Sequence, residues 1–497
     1  MTTLKQAAVK GTAWSALSTV LNRGLRFVIT ILLARILIPS DFGLVAMGLM
    51  VMDIAGLLND LGLGAALIQR KHLDAEHLTT CFWANMAIGV ALWGITTAIS
   101  PLAAAFYRND GVHSLLPVMA FNFLLAPIGS IPWVLLNRDL RFKELMFAQT
   151  FATGLRSATS LILAWRGAGV WSLVWGPLVG TAAGSIVNWW YCRWRPRLQW
   201  SWRHFRELFH FGKNVFGERF LGYFAANSDN LITGRFLGAT TLGFYNFAYQ
   251  IPHLAETHMA PVVTRVLFPV LSKIQDDKER LRRGYLQSLR WIAVAAAPFA
   301  VGLFIVAPEF IPTIYGQQWQ PVILPLRILC AAGLIHSLTS SVWTVQQSLG
   351  RPDIGFWWNL GTLPLIIGTL ILSARWGIKG IAIGMLSVSF SQSLAIQHIT
   401  NRLIGLSWKR WWQAVKAPFF ASAAMGAMAA ACRFIAVSQS LPAWSVLGLT
   451  AVAGTAAYIV AFKYLAGDLW QEGRALMQQM LRPASAASAS LEGNPIA

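Results

Sequence analysis

Two arginines stand one helical turn apart inside an apolar stretch, STVLNRGLRFVITILLAR, residues 18–35: Arg23 and Arg26. A guanidinium stays charged at any accessible pH, and its planar fork donates paired hydrogen bonds to phosphate or carboxylate. In hydrocarbon such a charge is costly, so it faces a cavity or a partner. Their i, i+3 spacing puts both on one helix face. Arg156 and Arg219 lie inside two further apolar stretches. Arg23, Arg26 and Arg156 gather in the first half of the chain with too few nearby acids to neutralise them, which points to an anionic ligand bearing phosphate. Arg219 joins them as a substrate-binding candidate. Asp53, Asp229 and Glu256 also fall inside apolar stretches, and intramembrane carboxylates are candidates for coupling to a proton or cation. Mutual pairing of these acids and arginines is the alternative. For Asp60 and Arg265, near span ends, pairing or snorkelling is the preferred reading.

His253 and His258 flank Glu256, but i, i+5 spacing suits joint metal ligation poorly. Cys81, Cys192, Cys330 and Cys432 are far apart, with no CxxC or Cys/His ligand spacing. No metal site, disulfide framework or cofactor is expected.

The elements that carry these residues follow from composition. Hydrophobic residues make up 56% of the 497 and charged residues only 12%, about half the share of a soluble chain. With mean hydropathy +0.53, this is a polytopic membrane protein. The net charge of +20 comes without any nucleic-acid-binding motif, and the positive-inside rule accounts for it. About fourteen stretches are long and apolar enough to span a bilayer, near 13–34, 42–68, 80–106, 114–136, 146–164, 168–191, 210–234, 242–268, 289–307, 322–346, 355–373, 377–398, 414–435 and 443–463. With the N-terminus in the cytoplasm, twenty-seven of the 40 Lys and Arg fall in inside segments and eight in outside ones. That bias sets both termini in the cytoplasm. Trp189, Trp190, Trp194, Trp200 and Trp202 bracket the largest basic loop as an interfacial aromatic belt. No loop is long enough to hold a catalytic domain on the outer face, so no enzyme is expected.

The sequence also repeats itself. ARILIPSDFGLV (34–45) and GRFLGATTLGFY (234–245) align at an offset of 200, matching Arg35 to Arg235, Leu37 to Leu237 and Gly43 to Gly243. Each copy ends one span and turns into the next, and six spans separate them, which is the pattern of a parallel repeat. The expected organisation is a six-helix bundle over 1–200, a second over 201–402, an added helix pair over 403–465 and a partly disordered cytoplasmic tail over 466–497, with the cavity between the bundles.

The segments ARILIPSDFGLVAMGLMV, DLGLGAALIQRKHL, LNRDLRF, GAGVWSLV, DNLITGRFLGATTLGFYNFAYQI, RVLFPVLSKIQDDKERLRRGYL and LGRPD, in this order over residues 1 to about 400, resemble the polysaccharide transporters of the multidrug/oligosaccharidyl-lipid/polysaccharide exporter superfamily, in particular the Wzx-type repeat-unit flippases. The resemblance implies an all-α fold of two six-helix bundles in a V, like the multidrug (MATE) exporters of the superfamily, with two helices added. It implies a polyprenyl-diphosphate-linked oligosaccharide as substrate, moved outward across a bacterial inner membrane for lipopolysaccharide or exopolysaccharide assembly. The diphosphate would be bound by cavity arginines, with membrane lipids and a polysaccharide polymerase and export machinery as partners. No arginine motif of the family maps onto this chain, so Arg23, Arg26 and Arg156 rest on depth in the membrane. A cation-coupled drug exporter of the same superfamily is the alternative; it wants an acidic cavity. A membrane polymerase or ligase, and a non-transporting scaffold, are the others.

Overall fold

A computed structural model describes residues 2–59, 74–254, 257, 267–351 and 353–481. Among these the secondary structure is helical, without strands. The helices are α1 (Thr2–Ile36), α2 (Pro39–Asn59), α3 (Ala75–Tyr107), α4 (Asp110–Ala120), α5 (Asn122–Arg138), α6 (Phe142–Trp165), α7 (Trp171–Tyr191), α8 (Trp202–Gln250), α9 (Lys278–Ile314), α10 (Ile323–Ser348), α11 (Asp353–Ser373), α12 (Gly377–Ile404), α13 (Trp408–Ser438), α14 (Ala443–Leu465) and α15 (Gly467–Leu481). Eight helical runs among the described residues are long and apolar enough to cross a membrane, the longest of them, Asp353–Ile404, joining two helices. α1, α6, α7 and α8 are not among the eight.

Departures from the expected boundaries have local causes. The stretch 114–136 lies across α4 and α5, which are separate helices broken at Phe121. The stretches 210–234 and 242–268 meet in α8, a continuous run bent at Gly238, whose φ of 80° and ψ of 179° suit glycine alone. α8 stops at Gln250 and a turn follows over 251–253, where Pro252 has no N–H to continue the ladder. The tail starts with a helix, α15, before leaving the described residues at 482.

Contacts divide the chain into two compact units. One comprises Met1–Gln250, Ile311–Pro325 and Asp353–Val388; the other comprises Ile251–Phe310, Leu326–Pro352 and Ser389–Ala497. The first unit has a core around Met47, Leu115, Leu116 and Leu242. Its helix ends alternate, as hydrogen bonds at both ends attest. Near Tyr191, Arg141 donates to the Tyr191 carbonyl at 3.0 Å and Trp83 to that of Arg197 at 2.8 Å. At the opposite end the last carbonyls of α1 would lack partners within the helix. A 3₁₀ segment, Gln317–Val322, supplies them: buried Trp319 donates to Ala34 O at 2.8 Å, and Gln318 to Leu37 O at 3.0 Å. Arg35 answers from α1, donating to Ile314 O at 2.8 Å.

The repeat-matched glycines meet at this end. A Cβ on Gly43 would lie 1.7 Å from the carbonyl oxygen of Ala239, and one on Gly243 would lie 2.0 Å from that of Pro39. Position 43 faces 239 and position 243 faces 39, the reciprocal contact that a two-fold axis generates.

The second unit is held by polar contacts between helices. Tyr285 of α9 donates to Gln397 of α12 at 2.8 Å. Arg433 of α13 makes a forked pair with Glu309 of α9, at 2.8–3.0 Å. α9 starts on Asp277, whose carboxylate accepts from the backbone N–H groups of Glu279 and Arg280 at 3.0 Å each. Those bonds hold its carboxyl below the usual carboxylate range.

Candidate functional site: an arginine-lined cavity in the first unit

α6 positions Arg156, and glycines of α7 decide how closely. Gly176, Gly180 and Gly184 recur every fourth residue, so they form one stripe along α7. A Cβ on Gly180 would lie 2.8 Å from the Arg156 Cβ, one on Gly176 would lie 1.9 Å from Ser160 Oγ, and one on Gly184 would lie 3.3 Å from the Ala152 Cβ. Ala152, Arg156 and Ser160 are themselves four apart on α6. The two helices therefore nest backbone to backbone, and the stem of Arg156 emerges over Gly180. α1 packs on the other flank of α6. Asn22 of α1 donates to Thr150 of α6 at 3.3 Å, which fixes the register of the pair.

This packing opens a cavity of about 670 Å³ lined by α1, α3, α5, α6 and α7. Arg26 and Arg156, 130 residues apart in sequence, both line it. They lie within electrostatic reach of each other, and no hydrogen bond or ion pair with a described residue engages either guanidinium. Around them stand the neutral donors and acceptors Asn85, Ser130, Gln149, Thr153, Thr181, Ser185 and Asn188. Among the described residues the lining contains no Asp or Glu. Among the described residues, two cations, several amides and hydroxyls, and no carboxylate suit an anion that carries hydroxyl groups.

A second cavity, also about 670 Å³, adjoins the first and is lined by parts of α1, α2, α4, α5, α6, α7 and α8. Asp53 lines it, and Tyr223 donates to this carboxylate at 3.5 Å. Arg156 lines this cavity as well.

The other candidates are distributed elsewhere. Arg23 is exposed on α1 and lines neither of these cavities. Asp229 is buried, accepting from Tyr245 Oη at 2.8 Å and from the N–H of Asn230 at 2.8 Å. It too lies outside both linings. The side chain of Arg219, and Glu256, Arg265, Asp60 and His258, fall outside the described residues. The amides and hydroxyls of the first cavity were not anticipated, although a signal existed: Gln149, Thr153 and Arg156, like Thr181, Ser185 and Asn188, are spaced i, i+4, i+7 and so share a face.

Residues 32–324 match the family described as polysaccharide biosynthesis protein. The chain is 28% identical over 427 residues to the lipopolysaccharide biosynthesis protein WzxC of Escherichia coli (strain K12), covering 84% of this chain and 86% of that protein. It is 29% identical over 489 residues to the teichuronic acid biosynthesis protein TuaB of Bacillus subtilis (strain 168), covering 95% of this chain and all of that one. Among solved structures, the lipid II flippase MurJ in an inward closed conformation superposes with a TM-score of 0.71 at 12% identity, over 93% of this chain and 99% of that chain, a likeness of fold. Matched over more than half its length, this multi-pass helical membrane protein belongs to the polysaccharide biosynthesis protein family.

Proposed function

We propose that the protein is a flippase that moves a polyprenyl-diphosphate-linked oligosaccharide across the inner membrane for exopolysaccharide or lipopolysaccharide assembly, with the diphosphate held by Arg26 and Arg156. The observation that carries this reading is the cavity with, among the described residues, two unengaged guanidinium groups, a ring of amides and hydroxyls, and no carboxylate. An unbonded hydroxyl in hydrocarbon costs several kcal/mol and a charged group far more, so an oligosaccharide diphosphate does not cross unaided. A wet polar cavity replaces the lost hydration, while the polyprenyl tail stays in lipid. Membership of the polysaccharide biosynthesis family and the fold shared with a lipid II flippase support the assignment. The charge bias of the loops supports cytoplasmic termini, which makes the Tyr191 end of the first cavity the cytoplasmic, loading end. The expected organisation, bundles over 1–200 and 201–402 opening alternately to either side, belongs to the same proposal. A cationic drug is a poor guest for a cavity whose charges, among the described residues, are two arginines.

The test is delivery of the lipid-linked repeat unit to the outer leaflet, in cells lacking the protein and complemented with wild type or with Arg26→Gln, Arg156→Gln or both. A charge-assisted bond to phosphate is worth about 1.5–3 kcal/mol, so each single variant should lower delivery by roughly ten- to a hundredfold, and the double should abolish it. Full rescue by a well-expressed double variant would overturn the arginine assignment. Normal delivery in the deletion strain would overturn the flippase reading.

A further inference from the structure

We infer that Arg156 is a pivot: it keeps hold of the diphosphate while the saccharide passes from the first cavity into the second, which is a saccharide-receiving site. This rests on the flippase reading above. The two cavities share part of their walls, and Arg156 and Thr181 are the polar residues common to both. Arg26 lines only the first. The cavities overlap in depth but extend toward different ends of the bundle. The first runs toward the Tyr191 end, reaching Asn188 of α7 and Leu145 of α6, each three residues from that end of its helix. The second extends from Phe42 of α2 and Leu173 of α7, close to the opposite ends of the same bundle, down to Asp53 and Gly56 of α2. Arg156 lies where the two overlap, fourteen residues into α6, about 21 Å from its start.

The chemistry of the two chambers differs. Among the described residues the first holds two cations and no carboxylate, which suits an anion. The second has the Asp53 carboxylate, the amides of Asn246 and Gln250, and the rings of Phe42 and Phe247. Carboxylates and amides accept and donate to sugar hydroxyls, and an aromatic face covers the apolar C–H side of a pyranose. Asp53 also repels a diphosphate, so this chamber takes the saccharide and leaves the anion at its mouth. Its bond from Tyr223 is long, at 3.5 Å, so its oxygens remain available as acceptors. The diphosphate carries the charge that is dearest to strip of partners in a low-dielectric passage. An arginine that faces both chambers removes the moment at which that charge would stand alone. Gly180, under the stem of Arg156, holds the side chain at the shared wall.

The experiment uses full-length protein in proteoliposomes with Cys81, Cys192, Cys330 and Cys432 replaced by serine, and one reporter introduced per chamber, Ser130→Cys in the first and Leu49→Cys in the second. Maleimide labelling rates are read with no ligand, with a bare polyprenyl diphosphate, and with a polyprenyl-diphosphate trisaccharide. Thermal unfolding confirms that each variant is folded. With both arginines present, the bare lipid should slow labelling at position 130 alone, and the trisaccharide lipid should slow it at both positions, by fivefold or more. Arg26→Gln should lose protection at 130 and keep it at 49. Arg156→Gln should lose both. Protection at 49 that survives Arg156→Gln, or that the bare lipid also confers, overturns the pivot. If neither lipid protects either position when both arginines are present, the flippase reading fails as well.

Discussion

At the scale of single residues, what separates the intramembrane charges is whether a partner meets them. Glu309 and Arg433 meet as a forked pair, with side chains 11% and 31% exposed. Asp229 is occupied by Tyr245 and a backbone N–H. Arg26 and Arg156 are cavity-facing and have no such bond among the described residues. These arrangements predict opposite responses to mutation. Glu309→Ala strands Arg433 and should lower stability by about 1–3 kcal/mol, less than a fully buried pair because Arg433 is partly exposed. Adding Arg433→Ala should restore part of the loss, since the stranded charge is gone. Thermal unfolding in detergent measures both. Arg26→Gln and Arg156→Gln, by contrast, remove charge from a cavity and should leave the unfolding temperature near that of the parent, with the loss confined to transport.

Elements make the cavity by how closely their backbones approach. Small residues every fourth position on α7 allow α6 to nest against it, and that contact carries Arg156 to the wall. The same device appears where α2 meets the second half of α8, through Gly43 and Gly243. There the obstructing atoms are backbone carbonyls, which cannot rotate away as a side chain does. Gly43→Ala or Gly243→Ala should therefore cost about 1–3 kcal/mol or more, by overpacking. If the contact is reciprocal, the two substitutions should have similar effects. A variant that unfolds at the temperature of the parent would show that α2 and α8 do not approach this closely in the membrane. α1, α6, α7 and α8, absent from the eight most apolar runs, include the helices that line the cavities.

For the whole molecule, the loops set orientation and the helices set fold. The excess of Lys and Arg on one side predicts that a tag following Leu481 and a tag preceding Met1 are cut by protease in inside-out vesicles and protected in right-side-out ones. Opposite accessibility of the two tags would mean an odd number of spans. Protection of both in inside-out vesicles would reverse the orientation, and with it the assignment of the first cavity as the loading side.

How much was legible in the sequence differs between fold and site. Composition and the length of apolar runs determine a helical multi-pass protein, because a backbone in hydrocarbon must satisfy its own hydrogen bonds. The order of short segments such as ARILIPSDFGLV and DNLITGRFLGATTLGFYNFAYQI carries the family resemblance. The arginines announce themselves, because charge in an apolar run is rare. Which arginines act together is a different matter. Spacing on α1 gives Arg23 and Arg26 one face, yet Arg26 joins the cavity and Arg23 does not. Helical periodicity relates neighbours within one helix; it says nothing of the rotation and register at which two helices pack. Those are decided by the glycine stripe of α7 against α6 and by the contact of α1 with α6. Only the folded chain brings Arg26 to Arg156 across 130 residues, surrounds them with amides, and sets Arg156 on the wall between two chambers.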